Sequence, residues 1–365
     1  MPGSALISDW VDLQPLNTLA LPARARYFAK VESVEQLREC LLWAQRQHVP
    51  LLILGGGSNV ILAADWPGLA LQIAIAGKQI TRIAGGAEVG AEVGAEVGTE
   101  VNVGAGENWH ELVQWSLAQG LYGLENLTLI PGTAGAAPIQ NIGAYGVEIG
   151  ERLLRVRGVD LEDNFNEREL SVADCALGYR DSIFKNALRN RFVITEIVLR
   201  LSEKFAPVLS YPTLREALAT TPQPTALDVE KAVRRIRQNR LPDPIALPNA
   251  GSFFKNPVIA REQFVRLQNR FATIPHFPVI GSDPIVGDVK IPAAWLVEQS
   301  GWKGKRVGAV GVHEKQALVL IHYSGHRFDT PPARALLDLA ATIQRDVLSQ
   351  FGIALELEPT IYGAH

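Results

Sequence analysis

The sequence predicts a chain of several domains that mixes helices with short strands, and three observations predict it. Its 365 residues exceed the roughly 100–200 of one ordinary domain, so two or three domains are expected. Hydrophobic residues make up 47% and charged ones 20%, the balance of a globular chain with a sizeable core. Glycines number 32 and prolines 22, which suits many tight turns rather than long helices.

The elements follow in order. Ser33 to Gln47 reads as a helix, with Ser33 and Gln36 as a capping box and Leu37, Leu41 and Ala44 on one face. Leu51 to Leu54 reads as a short buried strand that runs into Gly55-Gly56-Gly57. Residues 87 to 98 repeat Ala-Glu-Val-Gly three times, a period too short for a solenoid. That stretch suggests an extended hairpin in a tolerant loop and carries no chemistry. Asn108 to Gln119 is a second helix, with Asn108 as N-cap and Gly120 beyond its end. Leu121 to Gly150 is nearly uncharged and glycine-rich, so it must lie against another layer or a ligand. Val156 to Arg200 reads as several short strands. Phe205 to Asp228, with Pro207, Pro212, Pro222 and Pro224, is the best domain boundary. A helix follows over Asp228 to Asn239, burying Val229, Val233 and Ile236. The last helix runs from about Pro331 to Phe351, with Thr330 as N-cap and Gly352 as stop. Ile353 to Glu358 alternates, setting Glu356 and Glu358 on the polar face of a strand.

Composition also excludes functions. The net charge of −3 provides no basic field for nucleic acid. Cys40 and Cys175 are too few for a disulfide framework or a zinc site, and read as buried thiols in a reducing compartment. The first basic side chain is Arg24, unlike the start of a secretory signal. Apolar runs such as Pro50 to Leu54 fall far short of the roughly 20 residues of a membrane span. A cytoplasmic protein is expected.

Several segments carry groups suited to chemistry. In Leu54 to Val60, the glycines let backbone N–H groups approach an anion, and Ser58 and Asn59 add side-chain donors. A tight turn is the alternative. No Walker lysine follows, and Gly104-Ala105-Gly106 has Trp109 at its third glycine position, which weakens a Rossmann reading. Pro131 to Gly146 is built almost throughout from small residues, which implies close approach of backbone to a flat ligand or another chain, with an ordinary glycine-rich loop as the alternative. Gly178-Tyr179-Arg180-Asp181-Ser182 places an arginine in a turn, where a surface Arg–Asp pair is the bland alternative. Asn249 to Pro257 sets Ser252, Lys255 and Asn256 around Phe253 and Phe254, as in a site with an apolar wall, with a strand edge ended by Pro257 as the alternative. No Gly-x-Ser-x-Gly elbow surrounds Ser252, so it is not read as a hydrolase nucleophile. Lys231, Arg234, Arg235, Arg237 and Arg240 crowd one helix, mostly as a solvated face, with Arg240 placed to enter a site. No metal motif is found.

Taken in order, Leu54–Val60, Gly104–His110, Pro131–Gly146, Gly178–Lys185, Asn249–Pro257, Val312–Leu320 and Leu355–Gly363 resemble the UDP-N-acetylenolpyruvoylglucosamine reductases, flavoenzymes of peptidoglycan precursor synthesis. The resemblance runs from about Asn17 to the C-terminus. It implies an α+β fold with a two-part FAD-binding region of the vanillyl-alcohol oxidase type and an α/β substrate domain. The implied divisions are residues 1–80 with 353–365, residues 81–204, and residues 205–352. It implies a cytoplasmic monomer using FAD and NADPH on a small UDP-sugar, with no nucleic-acid or membrane partner. Ser252 resembles the proton donor, and Arg180 and Glu358 the groups that steady the intermediate. Tyr211, on the loop of the type I branch, matches a UDP-sugar position, as do Arg240, Asn256 and Gln316. Gly55, Gly56, Gly57, Ser58, Asn59, Pro131, Gly132, Ala136, Gly143 and Ile194 match flavin-contacting positions. The chain departs from the family pattern at Arg240, often lysine, at Ala136 and Ala137, serine in some members, and at Thr360, where a basic residue is common. Without serine there, any flavin hydrogen bond at Ala136 and Ala137 must come from backbone. Two alternatives remain: another FAD oxidoreductase of the same fold, and a non-catalytic UDP-sugar-binding relative.

Overall fold

The computed structural model describes residues 6–81, 98–271, 273–279, 283, 286–323 and 330–363. The tetrapeptide repeat therefore lies outside the described residues up to its final Gly98. The chain forms two compact units. One comprises Met1–Val11, Ala25–Gly57 and Trp66–Asn239, the other Asp12–Arg24, Ser58–Asp65 and Arg240–His365. These units cut across the three expected segments. The proline-rich stretch does not separate bodies, because Leu214, Leu218, Val229, Val233 and Ile236 pack together within the first unit. The boundary falls at the end of the following helix instead.

The first unit holds a four-stranded and a five-stranded sheet. In the smaller sheet, Arg24–Val31 and Leu51–Leu54 both run parallel to Trp66–Ile73. The larger is antiparallel in the order Glu167–Ser171, Leu153–Asp160, Phe192–Leu201, Thr99–Gly104, Lys78–Thr81. The helices form where the sequence starts and stops them. Val34–Gln47 begins at Ser33, whose hydroxyl accepts from the Gln36 N–H, and ends at left-handed His48. The expected capping box is displaced by one residue, since the Gln36 side chain accepts from Glu32 rather than from the cap itself. Trp109–Ala118 is capped by Asn108, and the buried Trp109 donates its indole N–H to the Leu127 carbonyl at 3.0 Å. That bond satisfies the one polar atom of a large core side chain. Residues 121–150 form one-turn helices such as Glu125–Leu127, Ala134–Ala136 and Pro138–Gln140, a conformation that small residues permit in a crowded layer.

The second unit builds a sheet in the order Asn249–Ser252, Val319–His322, Val310–Val312, Arg306–Val307, with a core of its own around Phe253, Phe254, Leu296 and Ile343. The helix Pro332–Phe351 starts after Pro331, with no side-chain cap, so Thr330 is not its N-cap. Gly352 ends it at φ +66°. Ile353 and Leu355 are buried and Glu356 is exposed, as alternation predicts. The regular strand, however, is Thr360–Tyr362, parallel to Val60–Leu62. Among the described residues no helix is long and apolar enough to cross a membrane. Cys40 and Cys175 are buried free thiols, and burial pushes them up to about 11 and about 12.

Candidate active site

The expected residues divide between the two units, and each unit builds its share by itself. In the first, two glycine loops meet. A Cβ on Gly56 would stand 2.9 Å from the Gly132 Cα, and one on Gly55 would stand 2.6 Å from the Thr133 Oγ1. Only glycine allows that approach. No acceptor is found among the described residues for the N–H groups of Gly55, Gly56, Gly57 and Gly132. A cradle of backbone donors without side chains fits the pyrophosphate of a dinucleotide such as FAD. Ala136 and Ala137 contribute differently from expectation. Their N–H groups are bonded within the turn, to Thr133 and Ala134 at 3.0 and 3.2 Å. Neither N–H is left to donate outside the turn, and Ala137 is itself buried in the core. Pro131 is exposed, Gly143 half-buried, and Ile194 lies in the core on Phe192–Leu201.

Arg180 sits at φ +53° in the two-residue turn closed by Gly178 and Asp181. Its Nη2 donates to the Gly143 carbonyl at 2.8 Å, and its Nη1 reaches the Asn141 carbonyl at 3.4 Å. The Asp181 carboxylate accepts from Asn186 at 2.9 Å. Two buried side chains lock this turn to the glycine-rich segment. The Asn141 amide donates to the Gly178 carbonyl at 3.0 Å and to Glu148 at 2.7 Å, while its oxygen accepts from Gly150. Ser182 donates to the Ile139 carbonyl at 2.7 Å. Tyr211 precedes the short helix Pro212–Ala217 and packs edge-on against Tyr145, centroids 5.2 Å apart.

The second unit gathers Ser252, Glu358, Asn59, Asn256 and Gln316. Ser252 is exposed at the end of its strand. Asn249 pairs with Ile321 and Ser252 with Val319, so one extra residue is inserted before the serine. Gly251 takes up that bulge at φ +69°. Bulges of this kind re-aim a side chain beside a site. The chain then pairs with the C-terminal segment: Glu358 N–H donates to the Phe253 carbonyl at 2.9 Å and Lys255 N–H to the Glu356 carbonyl at 3.0 Å. Ser252 thus neighbours the residue opposite Glu358. Asn59 secures the same segment, its amide donating to the Glu358 carbonyl at 3.3 Å and its carbonyl accepting from Thr360 N–H at 3.0 Å. Its side chain therefore serves the Glu358 backbone. Ser58 is half-buried. Asn256 accepts from the Ala293 N–H at 2.9 Å, and Gln316 from the Leu318 N–H at 3.4 Å. Arg240 is exposed at its helix end.

Sequence reasoning passed over Asn141, Ser182 and Arg237. Asn141 and Ser182 stand inside motifs already singled out, and only their partners distinguish them. Arg237 was grouped with a solvated face, yet its Nε is shut off from solvent. Among the described residues no cluster of His, Cys, Asp and Glu could hold a metal ion.

Comparison with known proteins adds three findings. Residues 243–362 match the family model described as UDP-N-acetylenolpyruvoylglucosamine reductase, C-terminal domain, and residues 25–163 match an FAD binding domain. The chain is 44% identical over 353 residues to the UDP-N-acetylenolpyruvoylglucosamine reductase of Chromobacterium violaceum, covering 96% of this chain and 97% of that one. It is also 44% identical to the enzyme of that name from Azoarcus sp., covering 98% of each. The crystal structure of the Thermus caldophilus reductase is 23% identical, with a TM-score of 0.61 over 97% of this chain and 98% of that one. That likeness shows the shared α+β fold.

Proposed function

The chain belongs to the UDP-N-acetylenolpyruvoylglucosamine reductase family and is an FAD oxidoreductase, and from that premise we propose how its residues divide the work. The reaction reduces the enolpyruvyl ether of a UDP-sugar to a lactyl ether, with NADPH as the proposed reductant. The observation that carries this reading is the backbone cradle of Gly55–Gly57 against Gly132, where a Cβ on Gly56 would close the gap to 2.9 Å.

Held against Gly55–Gly57 and Gly132, FAD would supply the hydride chemistry that links NADPH to the C3 carbon of the enol ether. The protein manages the charge that follows. Negative charge builds at C2 and spreads into the substrate carboxylate, where the Arg180 guanidinium is the counter-charge. A preorganised donor of this kind is worth about 3–4 kcal/mol in comparable oxyanion sites. Arg180 is held by two carbonyls rather than searching for its pose. Ser252 supplies the C2 proton, a transfer that a hydroxyl can make because the enolate is the stronger base. Glu358 steadies the same intermediate. Tyr211, Arg240, Asn256 and Gln316 hold the UDP-sugar, and Ser58, Asn59, Pro131, Ala136, Gly143 and Ile194 complete the flavin's surroundings. By ligand, residues 1–80 with 353–365 and residues 81–204 serve the flavin, and 205–352 the UDP-sugar. The chain is proposed to act as a cytoplasmic monomer.

Purified protein should show flavin absorbance that bleaches on anaerobic NADPH and returns on adding UDP-N-acetylglucosamine enolpyruvate. Ser252→Ala should keep the bleaching and slow the return by ~10²–10⁴-fold, the usual worth of a general acid. Near-normal return in that variant would remove Ser252 from its role. Colourless protein would point to a non-catalytic relative, and return only with oxygen to an oxidase.

A further inference from the structure

Leu129, shortly before Gly132, stands at φ +56°, a left-handed conformation that is costly for a leucine. Side chains from two helices hold it there. His110, in the first turn of Trp109–Ala118, accepts the Leu129 N–H at its Nδ1 at 3.2 Å. Arg237, in the last turn of Ala226–Arg240, donates to the Leu129 carbonyl at 3.1 Å. Trp109 holds the same segment on both sides of Leu129. Its indole N–H donates to the Leu127 carbonyl at 3.0 Å and its backbone N–H to the Gly132 carbonyl at 3.1 Å. The turn at Leu129 therefore sets how the chain enters Pro131 and Gly132.

A second set of bonds competes for the same ring nitrogen. Thr128 Oγ1 lies 3.0 Å from His110 Nδ1 and 3.0 Å from Glu230 Oε1. Thr128 and Glu230 are buried, and the other Glu230 oxygen is paired with Arg234 at 3.1 Å. Nδ1 has one in-plane position, which holds either a proton or a lone pair. Without the proton, Nδ1 accepts from Leu129 and Thr128 donates to Glu230, so Thr128 Oγ1 faces Nδ1 with no hydrogen between them. With it, Nδ1 donates to Thr128 and Thr128 to Glu230, and the Leu129 N–H loses its acceptor. Each arrangement leaves one contact unsatisfied, so the proton decides between them. A charged imidazole carries hydrogen on both nitrogens, which enforces the second. Burial above all disfavours that charge. Arg234 and Arg237 also oppose it, while Glu230 and Glu111 favour it.

We propose that His110 is a positioning residue for the flavin: bare at Nδ1 it fixes Leu129 and with it the Gly132 side of the cradle, and its protonation releases Leu129 and weakens FAD binding. The inference rests on the reading of Gly55–Gly57 and Gly132 as the flavin's bed.

The test measures FAD release from the diluted holoenzyme by flavin fluorescence, from about pH 7.5 to about pH 5.5, a range that spans the ordinary imidazole value. Wild type should bind FAD at least ~10-fold more weakly at the acid end, as one proton coupled to one ligand requires. H110N sets an amide oxygen in place of Nδ1, an acceptor that does not titrate. It should stay within ~3-fold of wild type at about pH 7.5 and change less than ~2-fold on acidification. H110A, with no acceptor, should bind at least ~10-fold more weakly at about pH 7.5 and lose little more in acid. A flat wild type would overturn the proposal. So would H110N with the wild-type acid loss, which would assign the titration to another group, or H110N as weak as H110A at neutral pH. If H110A does not fold, wild type and H110N decide. Wild-type affinity in Gly56→Ala would instead remove the reading of these loops as the bed.

Discussion

At the residue scale, the bulge before Ser252 decides where a single hydroxyl points. A Cβ on Gly251 would find nothing within 4 Å, so space does not require glycine there. Conformation does, because φ is +69° and an L-residue pays about 1–2 kcal/mol in that region. Gly251→Ala should therefore lower stability by about 1 kcal/mol, or release the strain by shifting the serine. The two outcomes separate by measurement. Strain alone lowers the melting temperature and leaves flavin reoxidation by the enolpyruvyl substrate intact, whereas a shifted Ser252 slows reoxidation with little change in melting. We expect the second, since a strand end is free to relax. None of this was legible in Asn249 to Pro257, because a bulge is a relation between two strands about seventy residues apart in sequence. The residue types at the site were legible; the register that aims one of them was not.

At the scale of elements, buried polar ties matter more than the elements they join. Asn141 ties the Arg180 turn to the glycine-rich segment through its bond to the Gly178 carbonyl, while its bonds to Glu148 and from Gly150 fix the amide that makes it. Asn141→Ala would leave the Gly178 carbonyl and Gly150 N–H without that partner, a loss of about 2 kcal/mol, and would free Arg180. Turnover should fall while flavin content holds, read by steady-state rate and by absorbance. Asp160 plays a comparable part in the antiparallel sheet. Its buried carboxylate accepts from Arg191 at 2.9 and 3.1 Å and from Arg168 at 2.5 Å. The Arg191 bond above all holds it well below the usual carboxylate range. A carboxyl whose folded pKa is depressed stabilises the fold above its unfolded value near 3.9 and ceases to do so as pH falls toward the folded one. Asp160→Asn should lower the melting temperature at pH 7, by an equivalent of about 2 kcal/mol given its partly exposed arginines. The gap to wild type should narrow as pH falls from about 5 toward 3, and a gap constant with pH would refute the assignment. The helix Ala226–Arg240 illustrates what sequence can and cannot say at this scale. Its span and its apolar face at Val229, Val233 and Ile236 follow from periodicity. Which of its five basic residues has a guanidinium nitrogen shut off from solvent does not, because the answer lies in Leu129, more than a hundred positions away.

At the scale of the whole molecule, the chain passes between its two compact units five times, at Val11–Asp12, Arg24–Ala25, Gly57–Ser58, Asp65–Trp66 and Asn239–Arg240. The order of motifs pointed to distinct flavin and substrate regions. The physical units are drawn otherwise because packing, not ligand, defines them. Ser58 and Asn59 fall with the second unit although the glycines just before them fall with the first. Flavin retention and turnover should nonetheless separate genetically. Gly56→Ala forces a Cβ against the Gly132 backbone at 2.9 Å, where no flexible side chain can yield, so the two loops must part and the cradle open. Purified Gly56→Ala should carry at least ~10-fold less flavin per chain than wild type, and added FAD should bind correspondingly weakly. Ser252→Ala, altered in the other unit, should carry flavin at the wild-type ratio and fail only in reoxidation. The deciding measurement is the ratio of flavin to protein absorbance in both variants. Flavin kept in Gly56→Ala would mean that these loops do not form the dinucleotide's bed. Flavin lost in Ser252→Ala would mean that the serine supports the fold of its unit rather than a proton transfer.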